Sequence, residues 1–452
     1  MPTWEFDKKT VLTSNKANFP YSELKFLQPN EGAATSHARQ RLLSEIEELG
    51  GKIGCLGTKT DIRNLSPGCQ LCTQESWSCL FINNICNGSC FYCPTSQTEV
   101  SSPTTNLLNF TKPQTYVEYL EKSGFKGVSI SGGEPLLTFT KTLNFLKAVK
   151  KHFGAKIHFW LYTNGILLDK EKLIKLEAAG LDEIRFDIGA VNYDISKAEL
   201  ATKYIKTVTI EIPAVPEEEK CLLQLLPKMK KVGIKHLNLH QMRLTNYNFP
   251  QLKDRDYTFL HAPKIVVLES ELTALRLVKA GLQIGLPVNY CSFVYKNRFQ
   301  QHAGRSRFAQ HITASYETIT ANGFIRRLAF KTEPQNLKRL EQDLRKIPAR
   351  YWSNRYNTLF LHPKLLASLE LGKGNLLVDY FQSVALPQLS YRNVFKQIKL
   401  PNSTFVVEKI QVLPTFELEK EEITNISKST LHLPPIFIIW KMCTKTPANG
   451  II

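Results

Sequence analysis

Between residues 77 and 291, short apolar runs rich in β-branched and aromatic residues alternate with longer stretches of helical periodicity. The strand-like runs are SCLFINN (78–84), GVSIS (127–131), KIHFWLY (156–162), EIRFDI (183–188), TVTIEIP (207–213), HLNLH (236–240) and LPVNYC (286–291). Between them lie helical patterns such as PQTYVEYLEKSG, TKTLNFLKAVKKHFG, DKEKLIKLEAAG, EEEKCLLQLLPKMKKVG and ESELTALRLVKAGL. Several of these close on Gly with Lys in the last turn, which is a helix stop signal. Strand–helix alternation at this spacing predicts βαβ units on a parallel sheet. Six or seven units suit a partial barrel as well as a flat doubly wound sheet.

The flanks read differently. Residues 1–76 contain one good helix pattern, HARQRLLSEIEELGG, and form an N-terminal extension before a barrel of 77–295. Residues 296–452 are less regular, basic at their start, and end with strand-like TFVVEKIQVLP and the apolar tail LPPIFIIW (433–440), a C-terminal extension suited to substrate binding. At 452 residues and 43% hydrophobic content the chain has material for one large or two medium cores. The start lacks the apolar segment of a secretory signal, and no apolar run spans a bilayer, so a cytoplasmic protein without a membrane partner is expected. The formal charge of +18 suits a polyanionic partner such as RNA, or a solvated Lys-rich surface.

Cysteines sharpen the picture. Cys55, Cys69, Cys72, Cys79, Cys86, Cys90 and Cys93 crowd together, while Cys221, Cys291 and Cys443 are scattered. Without a secretory signal this crowding reads as metal binding rather than disulfides. CNGSCFYC (86–93) puts three thiols on the loop after the first strand, on the face where barrel loops form active sites. Structural zinc takes four protein ligands. Three thiolates instead suit an iron–sulfur cluster with one iron left open. SISGGEPLL (129–137) then runs a strand into Gly132 and Gly133, where backbone approaches a ligand closely, and into Glu134, a carboxylate for a cationic amine.

These two motifs in succession resemble the radical S-adenosylmethionine superfamily. YTNG (162–165), EIRFDIG (183–189) and VTIEIPAVP (208–216) follow in the family's order. Together with GCQLC, NYCS and YKNRFQQHAGRSRFA they are similar to a mostly archaeal group related to pyruvate formate-lyase-activating enzymes. The resemblance covers roughly residues 77–291, about half the chain. It implies an α/β fold, a partial (β/α)6 barrel. It also implies a [4Fe–4S] cluster on Cys86, Cys90 and Cys93, whose fourth iron takes the amino and carboxylate groups of S-adenosylmethionine. An electron from an external low-potential donor, flavodoxin- or ferredoxin-like, would then cleave the sulfonium to a 5′-deoxyadenosyl radical that abstracts hydrogen. By the same resemblance Gly132, Gly133 and Glu134 hold the methionine amine, and Tyr92 lies by the adenine. Thr163, Asn164, Asp187, Glu211 and Pro213 fall where the family contacts the rest of the cofactor.

Other features keep two readings each. Cys69 and Cys72 form a CxxC knuckle that, with Cys291 and then Cys55, would hold a second iron–sulfur cluster or zinc. Cys79 is a further thiol for such a site or a buried core residue. Cys221 and Cys443 read as inert. His240 ends a strand as a cofactor contact or proton donor, or as a structural residue. His302 and His311 are weaker candidates of the same kind. In YKNRFQQHAGRSRFAQHI (295–312), Arg298, Arg305 and Arg307 with Phe299 and Phe308 suit an anionic substrate or RNA, or else a buried phenylalanine face beneath solvated arginines. The functional alternatives are an RNA-modifying radical enzyme and a zinc-binding module without activity.

Overall fold

The computed structural model describes residues 12–13, 15–74, 76–262, 264–412 and 415–418. Cys443 and the tail at 433–440 lie outside the described residues. Over the described residues the chain divides into two compact units, one running to Thr105 and through Asn109–Gln300, the other from Gln301 to Leu418 together with Asn106–Leu108.

The first unit is built on seven parallel strands. They are β1 (Trp77–Phe81), β2 (Gly127–Ser131), β3 (His158–Thr163), β4 (Glu183–Phe186), β5 (Thr207–Pro213), β6 (His236–His240) and β7 (Val288–Cys291). Each pairs with the next in chain order. The outer strands do not close on one another. Antiparallel Lys59–Thr60 pairs with β7, and Thr104–Thr105 pairs with β1. The partial barrel expected from the alternation is therefore present, and residues before 77 are woven into its sheet.

Helices cross between strands in the manner of βα units: α3 (Pro113–Ser123), α4 (Phe139–Phe153), α5 (Lys170–Ala178), α6 (Ser196–Ala201), α7 (Glu219–Lys231) and α8 (Leu268–Ile284). The last packs against α1 (Gly32–Glu48). Strand alternation sorts the side chains. Val128, Ile130, Ile184, Val208, Ile210, Leu237 and Leu239 are buried beneath the helices. The opposite rows line the lumen and are largely polar. Register places Cys79, Ser129, Trp160, Glu183 and Thr207 in one row, with Glu211, Asn238 and Asn289 above it. Pro213, His240 and Cys291 form the last row at the C-terminal end.

The CxxC pair is not a knuckle. Cys69 and Cys72 lie on a short helix, α2 (Pro67–Thr73), started by Pro67 and by Ser66, whose hydroxyl accepts from the Cys69 amide at 3.2 Å. Helical spacing turns both thiols to one side of it.

The second unit carries an antiparallel sheet of β8 (Ile325–Lys331), β9 (Trp352–Arg355), β10 (Thr358–Leu361), β11 (Asn375–Leu386), β12 (Val394–Lys399) and β13 (Thr404–Gln411), ordered β9-β10-β8-β11-β13-β12. Leu337, Leu340 and Leu344 of α10 (Pro334–Leu344) pack on Leu328, Phe330, Leu359 and Val378. The basic segment is not one helix: a π-helical turn at Lys296–Gln300 precedes α9 (His302–Ile312). Its arginines are not all solvated either. Arg305 is buried, donates to the Asn322 carbonyl at 2.9 Å and stacks 4.6 Å from the Phe324 ring. Among the described residues no helix is long and apolar enough to cross a membrane.

Candidate active site at the C-terminal end of the barrel

Three loops meet at the strand ends. The first carries the cysteines. The Cys86 amide donates to the Gln97 carbonyl at 3.0 Å and that of Cys93 to the Cys90 carbonyl at 3.0 Å, so the triplet is wound as a tight turn. Gly88 N–H donates to Cys86 Sγ at 3.3 Å, and Asn164 Nδ2 lies 3.7 Å from the same sulfur. The three thiols are half-buried. Burial raises each of their pKa values, and Cys90 is pushed up to about 12 by burial first, then by Asp187 and by the neighbouring thiols. Such a set gains from a cation that takes up its negative charge.

The second loop follows β2. Gly132 and Gly133 have φ of +88° and +64°, and a Cβ on Gly133 would meet the Ile85 carbonyl oxygen at 2.0 Å. No other residue fits there. The Glu134 amide donates to the same carbonyl at 2.7 Å, fastening this loop to the cysteine loop. Glu134 is almost fully buried. Its carboxylate accepts from the Leu136 amide (2.9 Å), the Thr163 hydroxyl (2.8 Å) and the Asn164 amide (2.6 Å). It thus braces the third loop as well as facing the site, with acceptor capacity to spare. Burial outweighs these donors and raises its pKa.

Asp187, at the end of β4, accepts from the Tyr92 hydroxyl at 2.7 Å and from the Gly189 amide at 3.1 Å. Burial pushes its carboxyl up to about 6. Tyr92 is thereby tied to β4 by its hydroxyl. Asn164 donates to Asn87 Oδ1 at 2.8 Å, so Thr163, Asn164, Glu134, Asp187 and Tyr92 form one connected rim around the cysteine turn.

Glu211 belongs to a different network. Its carboxylate accepts from Arg185 Nη1 at 2.5 Å and Asn238 Nδ2 at 3.0 Å, and lies 2.7 Å from His240 Nε2. Arg185 is buried and also holds Glu183 at 2.7 Å and the Ser66 hydroxyl at 3.0 Å. Glu183 is held down at about 2: burial opposes, but Arg185 and His158 prevail. Glu211 is likewise well below the carboxylate range, Arg185 and His240 outweighing burial. Glu211, which the resemblance places at the cofactor, takes part in an internal ion-pair network in the lumen. Pro213 is half-buried beside His240.

Cys69, Cys72 and Cys291 do come together, but around a lysine. Lys59 is fully buried, with Nζ 2.8 Å from Cys291 Sγ and 2.9 Å from Asn289 Oδ1, and 4.7 Å from the Tyr295 ring. Asn238 Nδ2 donates to Cys69 Sγ at 3.1 Å, and Cys72 Sγ lies 3.9 Å from the Tyr295 hydroxyl. The three thiols offered for an auxiliary metal thus share their surroundings with the Lys59 ammonium. Burial would raise the Cys291 thiol, yet Lys59 and His240 hold it near 7. Among the described residues no three His, Cys, Asp or Glu side chains converge to cage a single ion. A cubane differs from such an ion, because each thiol reaches a separate iron. The glycine-lined turn at Cys86, Cys90 and Cys93, whose thiols are half-buried, fits a cluster of that kind. Cys79 faces the lumen beside Ser129, Cys221 lies on α7, and His302 and His311 lie in the second unit.

Lys59 and Arg185 were not singled out from the sequence. Arg185 had a signal, since alternation in EIRFDI turns it to the side of Glu183; Lys59, on a two-residue strand, had none.

This rim, a three-thiol turn beside a glycine cradle at the mouth of a parallel partial barrel, defines an enzyme class that uses an iron–sulfur cluster and a sulfonium cofactor. Residues 80–239 match the Radical SAM superfamily. A Methanocaldococcus jannaschii protein named as a candidate glycyl-radical enzyme activating enzyme is 32% identical over 275 residues, 58% of this chain and 72% of its own length. A Campylobacter jejuni GTP 3′,8-cyclase is 28% identical over 153 residues, 34% of this chain and 45% of that enzyme. Among solved structures, Streptococcus suis SuiB bound to its precursor peptide SuiA aligns over 53% of this chain and 52% of its own, with 15% identity and a TM-score of 0.37. The chain belongs to the radical S-adenosylmethionine superfamily, whose members employ a [4Fe–4S] cluster and S-adenosylmethionine.

Proposed function

We propose that Cys86, Cys90 and Cys93 each bind one iron of a [4Fe–4S] cluster, and that the chain uses it to cleave S-adenosylmethionine reductively and abstract hydrogen from a protein, peptide or small-molecule substrate. The observation that carries this reading is the fastening of the three-thiol turn to the Gly132–Gly133 cradle through the Ile85 carbonyl. When bound, the cofactor pair supplies the radical; the chain supplies orientation and a closed site. Gly132 and Gly133 let backbone approach the methionine end, with Glu134 holding Thr163 and Asn164 in place around it. Tyr92 and Asp187 fix the opposite wall. The relative named as an activating enzyme favours a protein substrate, and an external flavodoxin- or ferredoxin-like donor supplies the electron.

Anaerobic reconstitution tests this directly. The expected result is about four irons and four sulfides per chain for the [4Fe–4S] cluster, with 5′-deoxyadenosine formed from S-adenosylmethionine and dithionite. Replacing any of the three cysteines with Ala should abolish it. A colourless zinc protein lacking sulfide would refute the reading and favour a zinc-binding module. The +18 charge favours RNA as the second substrate class.

A further inference from the structure

Lys59 is a fully buried cation whose hydrogen-bond partners are an amide and a thiol. Its strand, Lys59–Thr60, pairs antiparallel with β7, and register sets Lys59 opposite Cys291 itself. β7 ends the run of parallel strands, so this two-residue strand is what covers that edge. Nζ lies 2.8 Å from Cys291 Sγ and 2.9 Å from Asn289 Oδ1. The amide is fixed in turn. Asn289 Nδ2 donates to Asn238 Oδ1, and Asn238 Nδ2 donates to Cys69 Sγ at 3.1 Å and to Glu211 at 3.0 Å. The Asn289 oxygen is thereby turned to the ammonium. The carboxylates of the lumen are engaged elsewhere, Glu183 and Glu211 both by Arg185. Burial works against the Lys59 charge, yet its pKa is raised, because Cys291 and then Cys69 and Cys72 outweigh burial. The pair is thus a thiolate held by an ammonium. Small solutes reach it from the barrel mouth, where His240, the register partner of Cys291, has a side chain 22% exposed. A thiolate is the form of cysteine that peroxides oxidise, and the resulting sulfenic acid condenses with a nitrogen in reach.

We infer that Cys291 and Lys59 form a modification site at which hydrogen peroxide joins the two side chains by a sulfur–nitrogen bond. The thiolate sulfur attacks one peroxide oxygen and the O–O bond breaks. The departing hydroxide takes a proton from the ammonium, which leaves a sulfenic acid, water and a neutral amine. The amine nitrogen then attacks that sulfur with its lone pair. The S–N bond forms as the S–O bond breaks, and the second hydroxide leaves as water with a proton from the amine. Sulfur gives up an electron pair in this sequence and the peroxide oxygens accept it. A dithiol returns the pair, becoming a disulfide and restoring thiolate and ammonium. The bond fastens the covering strand to β7 and keeps Cys291 from the irreversible sulfinic stage. It needs neither the cluster nor S-adenosylmethionine.

Peptide mapping tests it. The full chain, purified anaerobically and then given hydrogen peroxide at neutral pH, is alkylated with iodoacetamide and digested without reductant. Mass spectrometry should find the Lys59 and Cys291 peptides joined with the loss of two hydrogens, and dithiothreitol should separate them. Recovery of Cys291 as an alkylated thiol, or in a disulfide with Cys69 or Cys72, overturns the inference. So does a joined species that dithiothreitol leaves intact. Lys59→Arg keeps the charge but removes the amine, so the joined peptide should vanish and Cys291 sulfinic acid should rise several-fold. Equal sulfinic acid in the two proteins overturns the protective role. Should the Arg variant fail to fold, the wild-type map decides by itself.

Discussion

At the scale of single residues, the site depends on backbone that only glycine can follow. Gly133 combines a positive φ with a carbonyl where its Cβ would sit. Gly133→Ala should cost about 1–3 kcal/mol through strain alone, read as a lower urea midpoint, and should weaken retention of S-adenosylmethionine in equilibrium dialysis. Asp187 gives a pH signature. Its folded pKa, near 6, exceeds the unfolded value, so the stability it contributes is full below about 4 and is lost as pH rises through about 6. Asp187→Asn should flatten that part of the stability profile. The cysteines and glycines were legible in the sequence because their spacing and their special backbone belong to local chain. Tyr92 was legible as an aromatic near the site, but its hydrogen bond to Asp187 spans ninety-five residues and needed the fold.

At the scale of elements, the barrel strands are apolar outside and charged inside. Arg185 is shared by Glu183 and Glu211, and its removal leaves the two buried carboxylates with only the His158 and His240 imidazoles beside them. Arg185→Met should therefore cost about 3–5 kcal/mol in urea unfolding, whereas the Glu211→Gln change keeps the shape and should cost less. Both carboxylates have depressed folded pKa values. Their contribution is present at neutral pH and is lost as pH falls below the ordinary carboxylate range, for Glu183 from about 4 towards about 2. Acid unfolding of the wild type should steepen in that window, and Glu183→Gln should shift it. Alternation in β3 to β6 announced which residues point inward, and the strand bounds at 127–131, 207–213 and 236–240 were readable because the apolar alternation stops at their ends. The helix carrying Cys69 and Cys72 was not, because CxxC suits a metal knuckle and a helical turn equally until its neighbours are known.

At the scale of the whole molecule, the second unit supplies much of the basic charge, from Arg305 to Lys409. Part of that charge is internal: Arg327 pairs with Asp379 at 2.8 Å and Lys409 with Glu317. The remainder suits weak, salt-sensitive contact with polyanions. Binding of bulk tRNA should drop about tenfold or more between 50 and 200 mM salt if RNA is the substrate; an affinity indifferent to salt would point back to a protein or small molecule. The alternation of strands and helices predicted the barrel unit, since local periodicity reports sheet and helix faces. It said little about the antiparallel unit, whose strands pair across long separations and alternate weakly.

The sequence by itself pointed to the chemistry, because the cysteine turn and the glycine cradle are contiguous stretches whose residue types permit few other uses. Only the tertiary structure decided what surrounds them. It joined Glu211 to Arg185 and His240, set Lys59 among the outlying cysteines, and placed Cys291 beside His240 in the register of β6 and β7. Those pairings join residues from distant strands, and a buried charge is meaningful only once its partner is in place.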